Sequence, residues 1–157
     1  MNVSDVEAVL PSPKEFLELL ERKWPYEGGI DTTKRLKAAC YTASHFVLKD
    51  FLRSKGIWTR VVCGTYDDDD RWFSFHCWLE TKEGIVIDPT ECQFDKTIPV
   101  GQIRVYPSRP DRYESHPEDL KQFALSAATT YYPRLRAART ANNRRRPVRV
   151  GIYRRHR

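Results

Sequence analysis

Between residues 72 and 94 the chain reads WFSFHCWLETKEGIVIDPTECQF, two alternating apolar runs on either side of a short polar turn. His76 opens the first run, HCWLE; Thr81, Lys82, Glu83 and Gly84 form the turn; Ile85, Val86 and Ile87 form the second run, which ends at Asp88-Pro89-Thr90. Such a pattern around a Gly-containing turn predicts a β-hairpin. Pairing across the turn brings His76, near the start of the first strand, and Asp88, at the end of the second, to the same end of the hairpin. An imidazole held by a carboxylate is the base-and-orienter half of a nucleophilic triad. What such a pair still needs is a nucleophile, and Cys40 upstream is the candidate.

The chain before the hairpin is helical in pattern. After a short lead, PSPKEFLELLERKWP predicts a helix with Ser12 as cap, Pro13 in the first turn and Glu15 completing a capping box. Phe16, Leu17, Leu19 and Leu20 make its apolar stripe, and Pro25 stops it. The loop YEGGI follows, where Gly28-Gly29 permits a tight turn. A second helix is expected over 32–55, capped by Asp31 and stopped by Gly56. Leu36, Ala39, Cys40, Ala43, Phe46, Val47, Phe51 and Leu52 recur at three and four, so Cys40 belongs on the inward face, in mid-helix. Apolar neighbours there raise a thiol's pKa, whereas a helix N-terminus or a protonated imidazole lowers it. His45 falls about 140° round a 3.6-residue helix from Cys40 and is a poor partner for it.

Beyond Gly56, the β-branched run Ile57 to Tyr66 reads as a strand and residues 67–70, four aspartates, as a solvated turn. Consecutive carboxylates on one loop cannot converge on one ion, and EF-hand spacing is absent, so no metal site is assigned. After the hairpin, KTIPVGQIRVYP suggests one more strand, and the turn-rich PSRPDRYESHPED follows it. PEDLKQFALSAATTYY, with Ser115 before it as a possible cap, has the composition of a helix. Two helices and then about four antiparallel strands argue for an α+β fold, the helix carrying Cys40 packed on the sheet, followed by a C-terminal helix. Residues 1–133 form the domain and 134–157 a basic tail.

Charge follows that division. Ten of the chain's 27 Lys and Arg residues are arginines in 134–157, which holds no acidic residue, leaving 17 basic against 21 acidic side chains in 1–133. Arg144, Arg145, Arg146, Arg149, Arg154 and Arg155 are the candidates for binding nucleic acid or another polyanion, since guanidinium groups contact phosphate bidentately. The four cysteines occur without a signal-peptide pattern or a C-x-x-C pair, and no stretch approaches the roughly 18 apolar residues of a membrane span. A cytoplasmic protein with reduced thiols and no membrane association is expected.

The order Cys40, a helix end LRSKGI, a strand RVVCG, then His76-x-Trp78 with Glu80, and Asp88-Pro89-Thr90 resembles the transglutaminase-like branch of the papain-like thiol enzymes. The likeness spans about 40–94, a little over a third of the chain, and HCWLE…GIVIDPT is its most specific part. It implies a papain-like core with Cys40 as nucleophile, His76 as general base and acid, and Asp88 orienting the imidazole. It also implies an oxyanion hole that includes the Cys40 N–H, with Trp72, Gln93 or another backbone amide as further support. Trp78, on the face of His76, walls the site. Cys77 points to the opposite face and reads as packing, as does Cys63, while Glu80 reads as a solvated strand end.

The implied chemistry is acyl transfer on a protein or peptide substrate, at a peptide or glutamine-type amide. It needs no cofactor. Deprotonating a thiol of pKa about 8.5 at pH 7 costs about 2 kcal/mol, which an adjacent imidazolium can offset. Water as the acyl acceptor makes a hydrolase or deamidase, an amine a cross-linker. A non-catalytic descendant, keeping the fold as a binding module for a polyanion through the tail, is the alternative. A metal-dependent hydrolase ranks last, since His76 lacks a second His at ligand spacing.

Overall fold

In the computed structural model, which describes residues 1–24, 30–36, 39–67 and 74–116, the chain begins with two capped helices. Asn2 and Asp5 each accept the other's backbone N–H and start α1 (Val3–Glu7), in what the sequence reads as a short lead. Ser12 and Glu15 repeat the device at α2 (Pro13–Lys23), with Pro13 in the first turn as expected. Trp24 leaves α2 in an extended conformation, as a residue preceding proline must.

The helix expected over 32–55 is not one element. Asp31 caps only a single 3₁₀ turn, Thr32–Lys34, after which Arg35 and Leu36 both adopt the left-handed conformation, with φ of 52° and 58°. Two consecutive left-handed residues end any right-handed helix. Helical structure restarts at Cys40: among the described residues, the first i→i+4 bond runs from the Ala43 N–H to the Ala39 carbonyl, at 2.8 Å. It proceeds as a π-helical segment, Thr42–Leu48, into α3 (Lys49–Ser54), which stops at Gly56 as expected. Cys40 therefore stands in the first turn of a helix, not in the middle of one. Apolar spacing is blind to this break because Leu36, itself left-handed, is buried just as Ala39 and Cys40 are after it.

Among the described residues five strands form one antiparallel sheet in the order β4-β3-β2-β1-β5: β1 Thr59–Tyr66, β2 Ser74–Thr81, β3 Val86–Asp88, β4 Arg104–Tyr106 and β5 Tyr113–Ser115. The hairpin β2–β3 turns at Gly84, whose φ of 88° supplies the left-handed residue such a loop requires. Four strands match the expected ones. The fifth, β5, lies inside the turn-rich segment; three residues beyond Pro110 are too short to show a period, and only pairing with Gly64, Thr65 and Tyr66 makes them a strand. Gly64 has no room for a side chain there, since a Cβ would stand 1.8 Å from the Glu114 carbonyl oxygen.

The sheet separates two apolar layers. On one face the helices bury Phe16, Leu20, Leu48 and Leu52 against Val61, Cys63, Cys77, Leu79 and Ile87. The other face is aromatic, with Tyr66, Trp78 and Tyr113 buried and Phe94 and Tyr106 packed against them. The helix expected after His116 and the basic tail, including Arg144, Arg145, Arg146, Arg149, Arg154 and Arg155, lie outside the described residues, as do Gly28, Gly29 and Trp72.

Candidate active site

The hairpin sets His76 and Asp88 on the aromatic face. Leu79 pairs with Ile87 across β2 and β3, and His76 and Asp88 extend beyond that pair at the same end. His76 Nε2 and Asp88 Oδ2 are 2.6 Å apart, and both side chains are fully buried. Asp88 is itself held: its Oδ1 accepts the Thr90 N–H at 2.8 Å, and its Oδ2 accepts the Tyr113 hydroxyl at 2.7 Å from β5. Burial opposes charge on Asp88, but the facing imidazolium and these donors outweigh it and hold the carboxyl below its ordinary pKa.

The turn made by Asp88 and Thr90 also opens the site. It leads the chain away, so β3 leaves β2 before reaching His76 and Cys77. Within a strand the N–H and C=O of one residue point to the same side. The Cys77 carbonyl accepts the Ser44 hydroxyl at 3.1 Å, and the Cys77 N–H is hydrogen-bonded to the Cys40 sulfur. The start of the Cys40 helix thus lies along the edge that β3 vacates. From there Cys40 meets His76 on one face and the Cys77 thiol on the other.

With Nε2 committed to Asp88, the hydrogen bond with Cys40 falls to Nδ1, which Gln93 Nε2 also approaches to 3.3 Å. Burial works against an imidazolium here, but the Asp88 carboxylate and the hydrogen bond with Cys40 prevail and push the His76 pKa up to about 10. Cys40 moves the opposite way, well below its ordinary value, through the Cys77 thiol donating to it and, against desolvation, through His76. The first turn of a helix adds its own positive potential. Proton transfer from thiol to imidazole is therefore favoured in the resting site, giving a thiolate–imidazolium pair oriented by a carboxylate. The Cys40 N–H lies in that first turn, where backbone N–H groups have no intrahelical acceptor.

Of the further expected residues, Gln93 stands close by: its Nε2 is 3.3 Å from His76 Nδ1 and 3.4 Å from Thr90 Oγ1. Trp78 lies beside the imidazole with ring centroids 6.0 Å apart, but its indole N–H donates to Glu80 at 3.0 Å. That N–H is thus committed to a carboxylate. Glu80 is no solvated strand end: it is 4% exposed and also receives Arg60 and Arg109, each at 2.8 Å. Tyr66 and Phe94 meet the imidazole edge-on. His45 stacks on Tyr41, at 5.2 Å between centroids.

No family model, curated protein or solved structure matches the chain. The site is accordingly read from its own geometry.

Three of its parts escape sequence reasoning. Tyr113 sits in a strand with no detectable period. Cys77, set aside because it faces away from His76, reaches Cys40 because the helix start lies at the strand's edge, where both faces are within reach. Arg35 donates to the carbonyls of Cys92, Asp95 and Ile98 at 2.7, 3.1 and 2.6 Å, tying the segment before Cys40 to the loop that carries Gln93. Nothing in the sequence marks that arginine.

Proposed function

We propose that the chain is a cysteine-dependent acyl-transfer enzyme with a papain-like, transglutaminase-like core, acting on a peptide or glutamine-type amide of a protein or peptide substrate. One observation carries the reading: the unbroken contact from Cys40, in the first turn of a helix, through His76 to Asp88. The Cys40 thiolate attacks the carbonyl carbon, and the oxyanion that forms is received by the Cys40 N–H. His76 gives its Nδ1 proton to the departing amine, leaving an acyl-thioenzyme, and then takes a proton from the water or amine that resolves it. Gln93 steadies the imidazole between these transfers.

The burial of Cys40, 5% exposed, favours a second reading, a binding module that keeps the triad as a relic and engages a polyanion through its arginines. Iodoacetamide labelling resolved by residue separates the two. The enzyme reading predicts that Cys40 alkylates faster at pH 6 than free cysteine does, and that His76→Ala raises its apparent pKa towards about 8.5. A Cys40 that resists alkylation until the protein unfolds establishes the relic. Among the described residues no helix is long and apolar enough to cross a membrane.

A further inference from the structure

Cys40, Cys77 and Cys63 form a line of thiols running from the helix start into the middle of the sheet. Cys63 and Cys77 are opposite one another across β1 and β2, and their sulfurs are 3.0 Å apart. The Cys63 carbonyl accepts the His116 N–H, and the Cys77 carbonyl accepts Ser44, so neither carbonyl points across the pair. They are thus a non-hydrogen-bonded antiparallel pair, in which Cα atoms approach to about 4.5 Å. That separation lies within the range a disulfide spans. On its other side Cys77 is hydrogen-bonded to Cys40. One thiol touches both the nucleophile and a second thiol.

We propose that Cys77 and Cys63 are a redox site serving Cys40, through which oxidation of Cys40 by a hydroperoxide is resolved and ends as a Cys63–Cys77 disulfide. This rests on Cys40 being the reactive thiolate of the acyl-transfer reading. The Cys40 sulfur attacks the outer oxygen of the hydroperoxide, the O–O bond breaks, and Cys40 becomes a sulfenic acid; the departing oxyanion takes a proton from His76. The Cys77 sulfur then displaces hydroxide from Cys40, which leaves as water with the Cys77 proton, and a Cys40–Cys77 bond forms. Cys63 attacks Cys77, the Cys63–Cys77 bond replaces it, and Cys40 leaves as thiolate while the Cys63 proton returns to His76. Two thiols have lost two electrons and two protons, and the hydroperoxide has become an alcohol, or water, and one further water. The relay spares the nucleophile from irreversible oxidation to sulfinic acid.

The test treats the full chain with hydrogen peroxide at pH 7 without reductant, blocks free thiols with N-ethylmaleimide and maps cysteines by mass spectrometry. The expected result is a Cys63–Cys77 linked peptide that dithiothreitol removes, with Cys40 and Cys92 still alkylated. Cys63→Ser is expected to accumulate a Cys40–Cys77 link, and Cys40→Ser to form the Cys63–Cys77 link at least about tenfold more slowly, because the entry point for oxidant is lost. A Cys40 that alkylates rapidly at pH 6 yet ends as sulfinic acid, with Cys63 and Cys77 both free, overturns the relay and leaves the acyl-transfer reading standing. Equal rates of linking in Cys40→Ser and wild type also overturn it. A Cys40 that neither alkylates nor oxidises overturns that reading, and the relay with it.

Discussion

On folding, Cys40 and His76 exchange a proton, and that fixes how stability follows pH. His76 rises from 6.5 to about 10, and Cys40 falls well below 9.0. Between pH 6.5 and 9.0 the unfolded chain carries one proton of this pair on the cysteine and the folded chain one on the histidine, so the pair gives stability no slope. Below 6.5 the unfolded chain gains a second proton, and stability declines as pH falls. Above 9.0 the unfolded chain holds none while His76 keeps its proton to about 10, so stability declines as pH rises. Cys40→Ala removes the cysteine's share of the histidine's rise and leaves His76 held up by Asp88, so its contribution is full below 6.5 and is lost progressively above it, before pH 10 is reached. Urea unfolding across pH 5–10 is expected to give a plateau for the wild type and a fall starting near 6.5 for the variant. Superimposable curves would count against the ion pair.

Strand β5 contributes more than its three residues suggest, because it delivers Tyr113 to Asp88. Its approach depends on Gly64, where a Cβ would meet backbone that cannot swing aside. Gly64→Ala is expected to push β5 off the sheet at a cost of about 3 kcal/mol. Tyr113→Phe keeps the strand and loses only a hydrogen bond to a charged acceptor, about 2 kcal/mol. Urea midpoints rank the two, and pH-resolved alkylation adds a second readout. With its hydroxyl gone, Asp88 Oδ2 faces His76 undivided, so the imidazolium persists to higher pH in Tyr113→Phe. An unchanged profile would make Tyr113 a packing residue only. The hairpin was legible beforehand because alternation and turn chemistry are local, whereas β5 and the break at Arg35 and Leu36 were not, since each exists through contacts far along the chain.

Phe16 and Leu20 from α2, Leu48 and Leu52 from the later helical segment and Leu79 and Ile87 from the sheet belong to one buried cluster. The elements that hold Cys40 and His76 therefore share a core and should melt together. Phe16→Ala, far from the thiol in sequence, is expected to cost about 3–5 kcal/mol. Cys40's alkylation at pH 6 should then be lost at the same, lowered urea concentration as the fold. If the reactivity persists beyond the unfolding transition, the triad does not depend on this packing.

Taken alone, the sequence determined the capped helix α2, the hairpin and the pairing of His76 with Asp88, because capping, turns and period-two alternation are written within a few residues of where they act. It also singled out Cys40. It could not say where the helix bearing Cys40 begins, since Leu36, the second of the left-handed pair, is buried like Ala39 and Cys40 after it and so preserves the apolar spacing. Only the tertiary structure decided that the thiol stands in a first helical turn, at a strand edge left open by β3, with Cys77 on one side and His76 on the other. Those neighbours, distant in sequence, decide whether Cys40 is an inert core thiol or a thiolate.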